Sequence, residues 1–174
     1  GGSYVPQQVI NKLNEFMIST KVQPYADFDM SKIAGQNMDK ATKLFADMIN
    51  AQKDEIIVSG STTMNMYVLS NAIKHILKPG DEVITTSFSW ISTAEVIVNL
   101  GAKPIFIDVD HNTGLIKENL IKKMITKKTK AVIIVSLFGQ ITNIDYINSI
   151  CNKKKIPVIE DAAQSFGSKY KNKY

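Results

Sequence analysis

From residue 55 to residue 160 the chain alternates short apolar runs with segments of helical length, and few architectures accommodate such an alternation. The runs read "EIIVS", "EVITTS", "PIFIDV", "AVIIVS" and "IPVIE", and the segments between them cover residues 62–77, 90–100, 117–125 and 143–152. A strand followed by a helix and then by another strand makes a βαβ unit, whose strands run parallel and whose helix covers one face of the sheet. The runs are apolar almost throughout, with no regular polar alternation, which fits strands buried on both faces. The pattern predicts an α/β fold layered around a mainly parallel sheet.

Ahead of the alternation the texture is helical. Residues 6–19 place Val9, Ile10, Leu13, Phe16 and Met17 at helical spacing behind Pro6, a residue suited to a first helical turn. Residues 31–50 set Met38, Ala41, Leu44, Phe45, Met48 and Ile49 on one face and Asp39, Lys40, Lys43 and Asp47 on the other. The change of texture predicts an N-terminal helical segment over residues 1–52 and an α/β part over 53–174. No internal repeat, low-complexity tract or Pro/Gly/Ser linker interrupts either part.

At 174 residues, with 44% apolar and 21% charged side chains, the chain is long enough and apolar enough to bury a core. The net charge is +5, and all 21 basic residues are lysine, dispersed or in short runs such as "KKTK" and "NKKK". Nucleic-acid grooves recruit arginine and aromatic residues, so this pattern reads as a solvated face and argues against nucleic acid as a partner. A single cysteine, Cys151, excludes an intramolecular disulfide and suits a reducing compartment, with the cytoplasm the expected location. The longest apolar run, residues 131–138, is too short to cross a bilayer, so no membrane partner is expected. Both ends, "GGSY" and "SKYKNKY", look cut.

In an open parallel sheet the loops leaving the carboxyl ends of the strands build the ligand site. The first, "SGSTTMN" at 59–65, brings Gly60 and the hydroxyls of Ser61, Thr62 and Thr63 to a helix N-terminus, where free N–H groups favour an anion such as phosphate. Ser61 or Thr62 reads equally as a plain helix cap. The second loop, "TTSFSWIST" at 85–93, carries Trp90, which is either a core aromatic or a flat face for a heterocycle. The last run ends in Glu160 and Asp161, where a buried carboxylate needs a partner: a lysine, backbone N–H groups, or a cationic ligand atom such as a protonated ring nitrogen.

Other candidates carry less. "DVDHNTG" at 108–114 departs from a calcium loop at Gly114 and Asn119 and reads as a turn, so no metal site is expected. His75 and His111 lack a ligand companion, and Cys151 lies in a helical pattern as a small buried hydrophobe. Neither a P-loop nor a G-x-G-x-x-G fingerprint occurs, which weakens the ATPase and nicotinamide readings.

A phosphate seat, an aromatic platform and a strand-end aspartate on one sheet edge are together what pyridoxal 5'-phosphate requires. The segments "KPGDEVITTSFSWISTAEVIVNLGAKPIFIDVD", "ITKKTKAVIIVSLFGQITNIDYI" and "IPVIEDAAQSFGSKYKNK" resemble, in order, the DegT/DnrJ/EryC1/StrS family of sugar aminotransferases, which have the fold of type I pyridoxal-phosphate enzymes. The first half, through "SYVPQQVINKLNEFM" and "DEIIVSGSTTMNMYVLSNAI", is more similar to class V enzymes of the cysteine-desulfurase kind.

The resemblance implies an incomplete large domain without its C-terminal small domain, and amino transfer, usually from glutamate, to a nucleotide-linked keto-sugar. It implies that Trp90 stacks on the pyridine ring, Asp161 pairs with the ring nitrogen, Gln164 lies near the ring hydroxyl, and Gly60, Ser61 and Thr62 hold the phosphate. It places the Schiff-base lysine beyond "SKYKNK", so that no catalytic residue is expected in this chain and the fragment alone is expected to be inactive. Ser136 stands where many relatives carry histidine. The resemblance also implies a homodimer. A desulfurase-like lyase, a sugar dehydratase and a non-catalytic α/β module are the alternatives.

Overall fold

The computed structural model describes residues 4–58 and 60–172, with Thr62 and Thr63 described in their backbone alone. The chain divides into two compact units, Gly1–Ile57 and Val58–Tyr174.

The first unit is helical. Helix α1 spans Gln7–Ser19 and helix α2 spans Asp29–Met48, both close to the bounds that the apolar spacing predicts. None of the residues of α1 is buried. Between the helices the buried Ser31 hydroxyl accepts the Ala26 N–H (2.7 Å) and donates to the Gln23 carbonyl (2.6 Å), which closes the loop onto the start of α2. Tyr25, at φ 73°, lays its ring over Gly35, where an added Cβ would stand 2.9 Å from the ring. Gly35 is therefore needed for this approach, not for its backbone angle.

The expected strand "EIIVS" is not formed. Residues Lys53–Glu55 wind into a 3-10 turn, residues 56–58 pair with nothing in the sheet, and Ser59 lies outside the described residues. Two causes are visible. Glu55, read in the sequence as the first strand residue, instead closes a capping box, its carboxylate accepting the Gln52 N–H at 2.7 Å. Apolar β-branched side chains also make a strand only beside a ladder neighbour, and Ile57 and Val58 are both largely exposed.

The second unit is the α/β part. Its elements run α3 (Thr62–Ile73), β1 (Glu82–Thr86), α4 (Ser92–Asn99), β2 (Lys103–Ile107), α5 (Glu118–Met124), β3 (Thr129–Val135), α6 (Ile144–Cys151) and β4 (Val158–Asp161). All four strands are parallel, in the order β2-β1-β3-β4.

Two apolar clusters occupy the two faces of this sheet. On one, Val83, Ala131 and Ile133 meet Leu77 and Ile97, with Ile73 of α3 and Val96 of α4 packed alongside. On the other, Ile84, Val132 and Ile134 meet Ile121 of α5 and Ile147 and Cys151 of α6. Neighbouring residues of β1 and β3 thus feed opposite clusters, as a period of two requires. This is the three-layer α/β arrangement that the alternation predicts. Cys151 is fully buried, as expected of a small hydrophobe, and that burial pushes its thiol pKa up.

Full burial of an isoleucine side chain stabilises by about 1.5–3 kcal/mol. Ile134 is 0% exposed on the central β3. Ile134→Ala is expected to cost about 2–5 kcal/mol, seen as a lower denaturation midpoint with an unchanged m-value.

Candidate functional site

The strand order places the first sharp divergence of the chain between the two central strands. From β1 the chain crosses through α4 to β2 on one side, and from β3 it crosses through α6 to β4 on the other. The loops leaving β1 and β3 therefore part company, which is where open α/β sheets hold ligands. Helix α3 leads down to the start of β1, so its N-terminus lies at this same edge.

A cavity of about 250 Å³ opens there. Its lining includes Met66 of α3, Trp90 and Thr93 at the start of α4, Leu137 just beyond β3, and Asp161 and Gln164 at the end of β4. Three of the sequence-predicted residues, Trp90, Asp161 and Gln164, are thus brought together although 74 positions separate the first from the last.

Trp90 is held by the turn into α4, its carbonyl accepting the Thr93 N–H at 3.2 Å. Its side chain is 79% exposed, so the core reading is excluded. An indole at the mouth of a cavity, joined by the exposed Phe88 and Ile91, offers a flat apolar surface that the described residues leave uncovered.

Strand parity separates the two adjacent carboxylates. In the β3–β4 ladder Ile134 pairs with Glu160 and Val135 with Asp161. Asp161, like Val135, turns to the face of α3 and α4 and lines the cavity, half-buried, its Oδ1 accepting the Ala163 N–H at 3.0 Å. Glu160 turns the opposite way and accepts the hydroxyl of the fully buried Ser136. The expectation of a buried pair is therefore corrected: Glu160 is exposed at the strand end, and its partner is a serine, not a lysine. Of the alternatives weighed for Asp161, a backbone N–H is present.

Gln164 is fixed by two bonds to the loop after β3. Its side-chain oxygen accepts the Phe138 N–H (3.2 Å) and its carbonyl accepts the Gly139 N–H (3.0 Å). The turn after β4 is tied down further by Tyr170 to Asn143 (2.9 Å), Lys171 to Asp145 (2.6 Å) and Ser168 to the Gly139 carbonyl (2.8 Å).

Ser61 caps α3, its hydroxyl accepting the Met64 N–H at 3.2 Å. Gly60 and Ser61 do not line the cavity; Ser61, the N-cap, stands about 7.5 Å further along the helix axis than Met66, at about 1.5 Å per residue, and Met66 does line it. Among the described residues, nothing lies within 4 Å of where a Cβ on Gly60 would stand. The Thr62 side chain lies outside the described residues. Met66 and Thr93 were missed in the sequence; the only signal for them is position, one turn or less into helices that begin at this edge.

The loop 108–114 is a turn. Asp110 Oδ1 accepts the N–H groups of Asn112 (2.9 Å) and Thr113 (3.2 Å), and these bonds hold its carboxyl below the ordinary value. Asp108 is held low first by Lys117, whose Nζ lies 2.9 Å from Oδ2, and then by the Val109 N–H. Among the described residues no three His, Cys, Asp or Glu side chains converge as metal ligands, and no helix is long and apolar enough to cross a membrane.

Comparison with known proteins gives this edge its context. The family model of the DegT/DnrJ/EryC1/StrS aminotransferases matches residues 17–174, and so takes in most of the helical unit as well. A UDP-2-acetamido-2-deoxy-3-oxo-D-glucuronate aminotransferase of Pseudomonas aeruginosa is 40% identical over 141 residues, covering 81% of this chain and 38% of that protein. A UDP-4-amino-4-deoxy-L-arabinose–oxoglutarate aminotransferase of Shewanella sediminis is 47% identical over 93 residues, 53% of this chain and 24% of that one.

Among solved structures, an aminotransferase from Psychrobacter cryohalolentis superimposes with a TM-score of 0.78 at 29% identity, over 98% of this chain and 40% of that one. The Escherichia coli GDP-4-keto-6-deoxy-D-mannose-3-dehydratase with bound hydrated PLP gives 0.80 at 24%, over 100% and 43%. A cysteine desulfurase from Thermococcus onnurineus gives 0.80 at 24%, over 95% and 43%. These last two share the fold alone. The chain spans less than half the length of each of these relatives.

Two outcomes follow from the geometry. Trp90 is the one tryptophan of the chain, so its emission should be that of a solvent-exposed indole, freely quenched by acrylamide; a blue-shifted, protected emission would contradict the exposed placement. The Asp108 carboxyl, depressed in the folded chain, supports folding above the unfolded carboxylate value, and this support is lost as pH falls through the folded one. An NMR titration should put its midpoint below that of a free aspartate, and Lys117→Gln should move it upward.

Proposed function

Because the chain belongs to the DegT/DnrJ/EryC1/StrS aminotransferase family, we propose that it is the cofactor-binding part of a pyridoxal-phosphate enzyme that places an amino group, taken from glutamate, on a nucleotide-linked keto-sugar. The observation that carries this reading is the orientation of Asp161. Of two adjacent carboxylates, strand parity aims one into a cavity that an exposed tryptophan borders. A uridine-linked keto-sugar is favoured by the 40% identity to the Pseudomonas enzyme named above.

The residues present fit pyridoxal 5'-phosphate. The cavity has an aromatic side chain at its mouth and a carboxylate in its wall, and among the described residues nothing crowds Gly60 at the α3 N-terminus. When bound, the cofactor supplies an electron sink for a carbanion beside the transferred nitrogen.

In this reading each residue has a part. Asp161 would face the pyridine nitrogen, where a carboxylate favours the protonated ring by charge attraction. Its own geometry is held by the Ala163 N–H. Trp90 would offer its indole to the ring face and shield it from water. The α3 N-terminus, with Gly60, Ser61 and Thr62, receives the phosphate through backbone N–H groups and the helix dipole. Gln164, pinned by Phe138, stands near the ring hydroxyl.

Lys169 and Lys171 belong to the turn after β4, and Lys173 lies outside the described residues. The covalent lysine, in this reading, lies in the part of the relatives' length that this chain does not span, and the 174 residues alone are inactive. The whole enzyme is a cytoplasmic homodimer.

A desulfurase-like lyase is the second reading, suggested by the likeness of the first half of the sequence to that class. Cys151 could not serve it, being the fully buried last residue of α6, packed into the cluster on the sheet face away from the cavity.

Full-length protein incubated with pyridoxal phosphate should develop a visible absorbance band and transfer an amino group from glutamate to a UDP-linked keto-sugar. Asp161→Asn should lower that rate about 10²–10³-fold, the scale of losing one electrostatic contact to developing charge, and Trp90→Ala should weaken cofactor retention. Unchanged rates in both variants would overturn the assignment of residues. Sulfide release from cysteine without amino transfer would establish the lyase, and no band at all would leave a non-catalytic module.

A further inference from the structure

The edge of the sheet opposite the candidate site carries a second concavity, which the proposed chemistry does not use. It lies where α5 turns into β3 and where the chain enters β4, and has a volume of about 620 Å³. Its polar lining is Thr126, Lys127, Thr129, Lys130, Lys154 and Lys155, and no carboxylate lines it among the described residues. Along β3, at about 3.3 Å per residue, it stands about 20 Å from the cofactor edge.

What sets the lysines here apart is their convergence on one concavity with no carboxylate in its described lining. The lack of an ion pair they share with other lysines of the chain, whereas six have one. Lys12, Lys32, Lys43, Lys53, Lys117 and Lys171 each hold a carboxylate at 2.6–3.2 Å. None of the four groove lysines forms an ion pair among the described residues, and Glu82 reaches this corner only by accepting the Thr126 hydroxyl at 2.5 Å. A helix C-terminus accounts for Lys154, in the last turn of the short 3-10 helix Asn152–Lys154. It does not account for Lys127, in the loop, for Lys130, already in β3, or for Lys155, which leaves the turn at φ 55°.

Four ammonium groups around one concavity repel each other, and a cleft lined by one sign of charge concentrates its field on a counter-ion. Lysine presents point charges without the planar fork of arginine, which suits a compact cluster of phosphate oxygens better than base edges or a single carboxylate. Ile125 and Ile156 flank the charges and leave an apolar wall for an organic group. We propose that this groove binds a soluble molecule carrying a di- or triphosphate, at a site separate from that of the cofactor.

The test is calorimetric titration of the full-length protein with inorganic tripolyphosphate, with and without saturating pyridoxal phosphate. Saturable one-to-one binding is expected in both conditions, weakening as salt is raised. The quadruple variant Lys127→Gln, Lys130→Gln, Lys154→Gln, Lys155→Gln should bind at least tenfold more weakly. A charge-matched control, Lys12→Gln, Lys32→Gln, Lys43→Gln, Lys53→Gln, should stay within twofold of the parent. All eight positions are exposed, and circular dichroism checks that both variants fold.

Absence of saturable binding, or equal loss in the two variants, would overturn the proposal in favour of diffuse net charge. Displacement of tripolyphosphate by pyridoxal phosphate would place it at the α3 N-terminus and also overturn it. Binding to phosphatidylglycerol vesicles that tripolyphosphate fails to displace would assign the lysines to a lipid surface instead. Failure of the cofactor assignment leaves the titration unaffected, so the two are separable.

Discussion

The ladder between β1 and β3 is the interaction on which the rest of the second unit depends. It is the central pair of the sheet, apolar side chains leave it toward both faces, and both helical layers are anchored to it. Val83 and Ile133 hold the layer of α3 and α4, and Ile84 and Ile134 hold that of α5 and α6. In such an interior each backbone N–H and C=O must find a partner, and this ladder together with those to β2 and β4 supplies them without a turn between the strands. The cost is a long crossover for each connection, which directs every strand end to one edge. The candidate site is a product of that geometry.

The same ladder explains why the cavity needs so little local machinery. Trp90 follows β1, Leu137 follows β3 and Asp161 ends β4, so residues far apart in sequence arrive at adjacent strand ends. The bonds from Gln164 to Phe138 and Gly139 then lock the last loop against the one before it. Around this rigid frame the tryptophan is the exposed element, and its accessibility is what an aromatic platform for a ligand requires.

Much of this was legible because strong periodic signals and tertiary packing agree. The four strands that found neighbours, and all six helices, lie within a few residues of their apolar patterns. The first run failed because strand formation is a property of pairs: "EIIVS" has the composition of a strand, but the Gln52–Glu55 box claims its first residue and Ile57 and Val58 are exposed. At the site, the residue types could be named from loop chemistry and family likeness, whereas their directions could not. That Glu160 would turn to Ser136 and Asp161 to the cavity depends on which residue of β4 faces which residue of β3, a register set by the whole sheet. Met66 and Thr93 carry no chemical signature, and only the folded chain brings them to the lining.

That register has an evolutionary corollary. Between Ile156 and Glu160 the chain can exchange one apolar residue for another with modest effect, because volume and hydrophobicity are what the layers read. It cannot gain or lose a single residue there. A shift of one position would rotate the two carboxylates to opposite faces, setting Glu160 in the wall of the cavity and Asp161 against Ser136. Length, more than identity, is the guarded quantity in this strand, and lineages of this fold should drift freely in letters while keeping count.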